Sequence, residues 1–206
     1  GISNLGQNSD DSAVITINNS TMSGNEAVFG GGAIYNRGQT SLMGATITIT
    51  NSTIVENVVT NPGSSAGGIL NLNVGAAANT ALVTLNNSIV AQNIATVHPD
   101  LRRASAVNSP IVDGGHNLIG VDDQGIFTIS TLVGSVAAPL DPLLVPLGDY
   151  GGPTRTYAFY LGSPVRDTGS DALATAAALT TDRRGANRFN GPVDIGAFES
   201  QGYSLA

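Results

Sequence analysis

The chain has 206 residues, a formal net charge of −7 and no Cys, which excludes disulfides, thiolate metal sites and cysteine nucleophiles. All eight basic residues are Arg, and this small positive charge argues against nucleic acid as a partner. No segment approaches the roughly 20 apolar residues of a membrane span, so we expect no direct membrane insertion.

Strand-forming patterns fill the first half of the chain. Runs that alternate apolar with other side chains, as half-buried strands do, occupy residues 13–17, 45–49 and 81–85. Each run leads into the pattern apolar-x-Asn-Ser-x-apolar-x-x-Asn, which occupies residues 17–25, 49–57 and 85–93. Each period therefore holds about three short strands.

These patterns repeat with one period. A second motif, small-Ile-x-Asn, recurs together with the first at intervals of 32 to 36 residues, at 1–4, 33–36 and 68–71. A unit this small cannot bury its own apolar face, so successive units must stack as coils. Parallel crossovers prefer the right hand. The sequence therefore predicts an all-β fold, a right-handed parallel β-helix (solenoid) of about four or five coils, over residues 1–140.

Stacking places equivalent asparagines above one another, and we expect them to form structural ladders. Asn tolerates left-handed backbone geometry, and its amide can bond to the copies above and below. The three sets are Asn19, Asn51 and Asn87; Asn25, Asn57 and Asn93; and Asn4, Asn36 and Asn71. Glycosylation is the alternative, because Asn18, Asn19, Asn51 and Asn86 lie in Asn-x-Ser/Thr sequons. Recurrence at a fixed coil position favours the ladders.

The period fades beyond about residue 100, where segments 109–113, 115–120 and 125–130 could supply one or two further coils. Seven of the ten aromatic residues and five of the eight Arg lie beyond residue 148. Because a solenoid end exposes unpaired strand edges, we predict that residues 141–206 form an irregular C-terminal cap packed on the same solenoid. The Ala-rich stretch 171–180 predicts a short helix capped by Ser170.

Charged residues of both signs are interspersed near the C-terminus. We predict that they form a hydrogen-bonded ion-pair network that fixes the cap, rather than an anion or metal site. The network consists of Asp182, Arg183, Arg184, Arg188, Asp194 and Glu199.

Several of these segments resemble known families. The elements Asn-Ser-Thr-apolar-x-x-Asn and Gly-Gly-Ala-Ile-Tyr-Asn look like polymorphic outer-membrane protein repeats. The tail is similar to the choice-of-anchor Q family of bacterial β-helix proteins in segments 115–120, 141–143, 148–154, 162–169, 182–188 and 191–199. The resemblance implies a secreted or surface-anchored β-helix with no established catalytic activity. One departure is Arg183, which stands where that family usually has Gln.

Catalytic patterns are sparse. Residues 63–67 match Gly-x-Ser-x-Gly but lie in a loop between strands, without the strand-to-helix turn that this motif requires. The two histidines, His98 and His116, lack the neighbouring ligands of a zinc site. A polysaccharide lyase or hydrolase is the enzymatic rival, and its candidate groups are Asp100, Arg102, Arg103, Asp113, Asp122 and Asp123. None of them forms a ligand series, so we predict no catalytic residue, no metal and no cofactor.

Residues 1–4 are an in-phase copy of the second motif, so the sequence starts within a coil. We expect that coil to meet either neighbouring coils of a longer precursor or other copies of the chain, which would stack head to tail into a fibre. The sequence thus predicts a non-catalytic extracellular or bacterial cell-surface module, structural or adhesive. The alternative is a glycan-binding or polysaccharide-cleaving β-helix with surface glycans as partners.

Overall fold

The computed structural model describes residues 1–6, 12–39, 44–61, 63, 65–74, 81–127 and 131–202. The first coil contains β1 (Ile2–Gly6), β2 (Ala13–Asn18), β3 (Thr21–Ser23) and β4 (Glu26–Ala27). The second contains β5 (Ile34–Gly38), β6 (Ala45–Thr50), β7 (Thr53–Val55) and β8 (Val58–Val59). The third contains β9 (Ile69–Asn73), β10 (Ala81–Asn86) and β11 (Ile89–Ala91).

Beyond the third coil the strands shorten. The fourth contains β12 (Leu101–Arg103), β13 (Ile111–Asp113) and β14 (Leu118–Ile119), and one further strand, β15 (Leu132–Val133), follows. The helix α1 (Asp171–Ala176) comes last. Three coils thus carry full-length strands and the fourth is contracted, so the regular solenoid is shorter than the four or five coils predicted.

Equivalent strands of successive coils pair in parallel. They form three long sheets, β1-β5-β9-β12, β2-β6-β10-β13 and β3-β7-β11-β14-β15, and one small sheet, β4-β8. The register aligns like with like, since Ile34 lies opposite both Ile2 and Ile69. The predicted parallel β-helix is confirmed, and its right-handed sense stays a prediction from the crossover preference.

The interior is a column of apolar side chains that alternate with outward-facing ones. In β6 the side chains of Ala45, Ile47 and Ile49 are fully buried, whereas Thr46 and Thr48 are only partly buried. Burying an Ile completely contributes roughly 1.5–3 kcal/mol relative to leaving it exposed. Because each rung stacks on an equivalent rung, the column continues without interruption from coil to coil.

A turn at residues 121–127 closes the column beyond the fourth coil. The carboxylate of Asp122 accepts the backbone N–H groups of Gln124, Ile126 and Phe127 at 3.1, 2.5 and 2.9 Å. This folds Phe127 back onto the interior core, where it is 5% exposed. The apolar interior is therefore plugged at this end.

The C-terminal region packs along the side of the solenoid rather than over its end. From β7 to β14 the third sheet carries apolar side chains on both faces, and its outward side chains Val55, Ile89 and Leu118 are buried against this region. The covering side chains are Tyr157, Phe159, Val165 and Ile195. A strand with two apolar faces must be covered on both, and this sheet therefore decides where the C-terminal region lies.

The predicted short helix is confirmed, with shorter bounds. Ser170 Oγ accepts the N–H of Leu173 at 3.4 Å and caps α1, as N-cap serines do. Within the described ranges, no helix is long and apolar enough to cross a membrane.

Candidate functional site

The asparagines of the first sheet form a continuous side-chain series through the core. Asn4 Nδ2 donates to Asn36 Oδ1 at 2.8 Å, and Asn36 Nδ2 donates to Asn71 Oδ1 at 2.8 Å. Asn71 Nδ2 ends the series on the carbonyl of Pro110 at 2.7 Å. The same three Nδ2 atoms also donate to the carbonyls of Ala13, Ala45 and Ala81 at 3.1, 2.8 and 3.0 Å, so the series joins the first sheet to the second in each of the first three coils.

A second series runs through the asparagines that follow the third sheet. Both the backbone N–H and Nδ2 of Asn25 donate to Asn57 Oδ1, at 3.1 and 2.8 Å. Asn57 donates twice to Asn93 Oδ1 in the same way, at 3.0 and 2.9 Å. Asn93 then donates twice to Asp100 Oδ1, at 3.0 and 2.9 Å. Asp100 therefore occupies the rung where a fourth Asn would stand.

Asp100 is a buried carboxylate at the end of a chain of aligned amides. Its second oxygen, Oδ2, accepts the N–H of Val121 at 2.7 Å, and the residue is 1% exposed. Burial raises the pKa of Asp100 to about 6, against the hydrogen bonds from Asn93 and Val121 that lower it. Because both oxygens accept protein N–H groups, this candidate catalytic group serves as the terminus of the ladder.

The predicted ladder of Asn19, Asn51 and Asn87 differs from the expectation. Asn19, Asn51 and Asn87 have positive φ angles of 45°, 46° and 45°, as the left-handed corner requires. Their amides face the C-terminal region, because their Nδ2 atoms donate to the carbonyls of Thr181, Asp194 and Ser170 at 2.6, 3.3 and 2.9 Å. Asn87 Nδ2 also donates to Asn51 Oδ1 at 3.2 Å. These corners therefore hold the C-terminal region on the first three coils, and the bond between Asn87 and Asn51 keeps one rung of the expected ladder.

A serine series, which the sequence analysis missed, lies next to these corners. The backbone N–H of Ser20 donates to Ser52 Oγ at 3.1 Å, and that of Ser52 donates to Ser88 Oγ at 3.1 Å. The N–H of Ser88 donates to Asn117 Oδ1 at 2.9 Å, so Asn117 replaces serine in the fourth coil. The signal was present in the invariant Ser of the Asn-Ser motif.

The structure leaves little room for glycans at two of the sequons. Asn51 is fully buried, and the amide nitrogen of Asn19 is occupied by the carbonyl of Thr181. Asn18 and Asn86 lie instead along a groove between the second sheet and α1. Asn86 Nδ2 donates to Thr50 Oγ1 at 3.3 Å.

The predicted charged network is divided into two linked parts. In the first, Arg184 lies 2.7 Å from Asp182 and 3.7 Å above the ring of Phe198. Asp182 Oδ2 also accepts the N–H of Glu199 at 3.0 Å. Arg183 takes part through its backbone N–H, which donates to the carbonyl of Ala197 at 2.9 Å.

The second part is the fully buried pair Arg188 and Glu199, whose Nη1 and Oε2 atoms lie 3.4 Å apart. Arg188 Nη2 also donates to Asn19 Oδ1 at 2.6 Å. Burial, and then the charge of Asp194, raise the pKa of Glu199 to about 8, although Arg188 lowers it. Glu199 Oε2 accepts the N–H of Asp194 at 3.0 Å. The network thus ties the tail to the first coil.

Most of the remaining candidate groups make separate local contacts. Asp113 Oδ1 accepts from Asn117 Nδ2 at 2.9 Å, and His116 Nδ1 lies 2.9 Å from the carbonyl of Thr168. His98 Nδ1 lies 2.7 Å from Asp123 Oδ2.

On β12, Arg102 and Arg103 are half-buried, and the N–H of Arg103 donates to Gln124 Oε1 at 2.8 Å. In the Gly-x-Ser-x-Gly segment the nucleophile position is Ser65, which is 4% exposed and whose Oγ accepts the N–H of Gly30 at 3.2 Å. Across the described ranges, no three His, Cys, Asp or Glu side chains are grouped as a metal site would need.

Comparison of the chain with family models, with curated protein sequences and with solved structures finds no match.

Proposed function

We propose that the protein is a non-catalytic structural module of the extracellular space or the bacterial cell surface. The observation that carries this proposal is the set of hydrogen-bonded series that cross every coil. The Asn25–Asn57–Asn93–Asp100 series alone makes six N–H···O bonds between rungs. Buried polar groups that are fully bonded in this way rigidify a structure and specify its register.

The C-terminal region adds a second set of connections across the coils. It contacts the first coil through Thr156 and Thr21, whose hydroxyls lie 2.7 Å apart, and the second through Tyr157 and Glu56, also 2.7 Å apart. It contacts the fourth through His116. A rod whose coils are joined both internally and laterally resists bending and fraying, which suits a spacer or a scaffold for adhesion.

Single-molecule force spectroscopy on the full chain, held at its two ends, tests this role. We expect one cooperative rupture that releases nearly all of the folded chain, on the order of 600–700 Å at about 3.3–3.6 Å per residue. The variant Asn57→Ala should rupture at lower force, and Asp149→Ala, on an exposed loop, should not. Release of single coils in low-force steps would contradict the proposal.

Glycan binding is a second candidate, and the groove beside α1 favours it. The groove is lined by Thr16, Thr48 and Asn86 on one side and by Leu173 on the other. Asn18 Oδ1 also lies there, and it is a buried acceptor to which no described residue donates a hydrogen bond. Chemical-shift titration with a panel of polysaccharides tests this site. Shifts confined to the groove would support it, and an inert panel would remove the candidate.

A further inference from the structure

Asn190 lies in an exposed loop of the C-terminal region and is the only Asn of the chain that precedes a Gly. The backbone nitrogen of the following residue can attack an Asn side chain, which forms a cyclic imide and releases ammonia. Gly favours this attack because it has no Cβ to hinder the approach of its nitrogen. The pair Asn190-Gly191 is therefore the least hindered place in this sequence for the reaction.

The backbone N–H of Gly191 is available for the attack. No residue that the structure describes accepts a hydrogen bond from it. Gly191 is exposed and has a φ of +102°, and a Cβ added there would meet only Asp167 Oδ1, at 3.6 Å. Solvent base can therefore take the proton of this nitrogen without first breaking a bond within the protein.

Folding protects the Asn-Ser pairs, which are the next least hindered because Ser is small. In the described pairs the Ser N–H donates a hydrogen bond: Ser20 to Ser52 Oγ at 3.1 Å, Ser52 to Ser88 Oγ at 3.1 Å, Ser88 to Asn117 Oδ1 at 2.9 Å, and Ser109 to the carbonyl of Ser105 at 3.2 Å. A nitrogen held in this way reacts only after local opening. The serine series therefore shields the corner asparagines as well as linking the coils.

A change at Asn190 alters a contact that holds the tail. Asn190 Nδ2 donates to the carbonyl of Ser200 at 3.2 Å, and Ser200 follows Glu199 of the buried charged network. A carboxylate in place of the amide removes this donor and turns a negative charge toward the carbonyl. An isoaspartate would also lengthen the backbone just before Val193, which is fully buried and whose carbonyl accepts the N–H of Gly169 at 2.8 Å.

We propose that Asn190 is a site of spontaneous deamidation in the folded protein, and that the reaction loosens the attachment of the C-terminal region. The nitrogen of Gly191 forms a bond to Asn190 Cγ, the bond from Cγ to Nδ2 breaks, and Nδ2 leaves as ammonia with the proton that Gly191 gives up. Solvent water then opens one of the two carbonyls of the imide and yields aspartate or isoaspartate. The reaction does not depend on the proposed structural role.

Peptide mapping by mass spectrometry tests the site on the full chain, incubated at mildly alkaline pH both folded and unfolded in urea. Asn87 and Asn108 are internal controls, because each precedes a Ser whose N–H is bonded in the folded chain. We expect folding to slow deamidation of both controls by about tenfold or more, and that of Asn190 by less than about threefold, since only the controls need local opening of a backbone hydrogen bond. Protection of Asn190 equal to that of the controls would overturn the proposal.

Two variants test the effect on the C-terminal region. Asn190→Asp reproduces one product, and the matched control Asn187→Asp adds the same charge in the same loop, where the side chain bonds to Phe189. We expect Asn190→Asp to speed hydrogen exchange at the N–H groups of Gly169 and Ser200 by about threefold or more, and the control to leave both rates unchanged. Unchanged exchange in Asn190→Asp, or an equal effect of the control, would overturn the proposed loosening.

Discussion

Replacing Asp100 by Asn tests whether a buried carboxylate ends the ladder. The amide oxygen of the variant can still accept from Asn93, but the amide nitrogen would then face the N–H of Val121, which now donates to Oδ2 at 2.7 Å. A lost hydrogen bond that leaves a buried donor unpaired costs about 1–3 kcal/mol. The substitution also removes a buried charge, and this gain opposes that loss.

The gain follows from the pKa of Asp100, which burial raises from 3.8 to about 6. A shift of about two units corresponds to roughly 3 kcal/mol. Because the folded state holds the proton more tightly, this stability is present below about pH 4 and is lost as the pH rises through about 6. Near neutral pH, the loss of the hydrogen bond from Val121 and the removal of the buried charge in Asp100→Asn therefore nearly cancel.

The decisive measurement is how the difference in free energy of unfolding between the wild type and Asp100→Asn changes with pH. We expect the free energy of unfolding of the wild-type protein, relative to Asp100→Asn, to fall by up to about 3 kcal/mol between pH 4 and pH 6.5. Urea denaturation across this range measures it, and the exposed Asp149→Asn is the control that should keep the wild-type profile. A parallel profile for wild type and Asp100→Asn would refute the assignment.

Three further substitutions test the interior, the lateral contact and the charged network. Asn36→Ala removes a fully buried amide from the middle of its series and should cost about 3 kcal/mol or more, since several buried partners lose their bonds; an unchanged midpoint in urea would count against the series. Gly196→Ala places a Cβ 2.8 Å from Ile89 at a φ of +104° and should cost about 1–3 kcal/mol. Gly125 also has a positive φ, but a Cβ added there meets no atom within 4 Å, so Gly125→Ala should lower the melting temperature less. An equal decrease in both variants would contradict a close contact between position 196 and Ile89. At a pH above the Glu199 pKa of about 8, Arg188→Met should cost about 3–5 kcal/mol by leaving the ionised Glu199 buried without its cation. The double variant with Glu199→Gln should recover much of this in thermal melts at that pH, whereas an additive loss would contradict the pairing.

The pKa of Glu199 adds a second pH dependence at higher pH. Its value is raised from 4.5 to about 8 by burial, so the associated stability is present below about pH 4.5 and declines as the pH rises through about 8. We expect Glu199→Gln to flatten the wild-type decline between pH 4.5 and pH 8 in urea denaturation. A decline of the same size in the variant would assign it to another group.

The sequence by itself determined the solenoid, its register and the residues that stack. A spacing of 32 to 36 residues places Asn4, Asn36 and Asn71 in one column, because parallel pairing puts equivalent positions side by side. The left-handed corners at Asn19, Asn51 and Asn87 followed from the same repeat. Periodicity carries this information because each coil finds its partners one period away.

Only the tertiary structure decided where the aperiodic parts lie. The C-terminal region covers the side of the third sheet because Val55, Ile89 and Leu118 give that sheet a second apolar face, and no repeat in the tail encodes this match. Asp100 follows Asn93 by only seven residues, so a repeat of 32 to 36 residues does not predict that it lies on the next rung. Contacts between segments without a shared period depend on which surfaces remain uncovered once the coils have stacked.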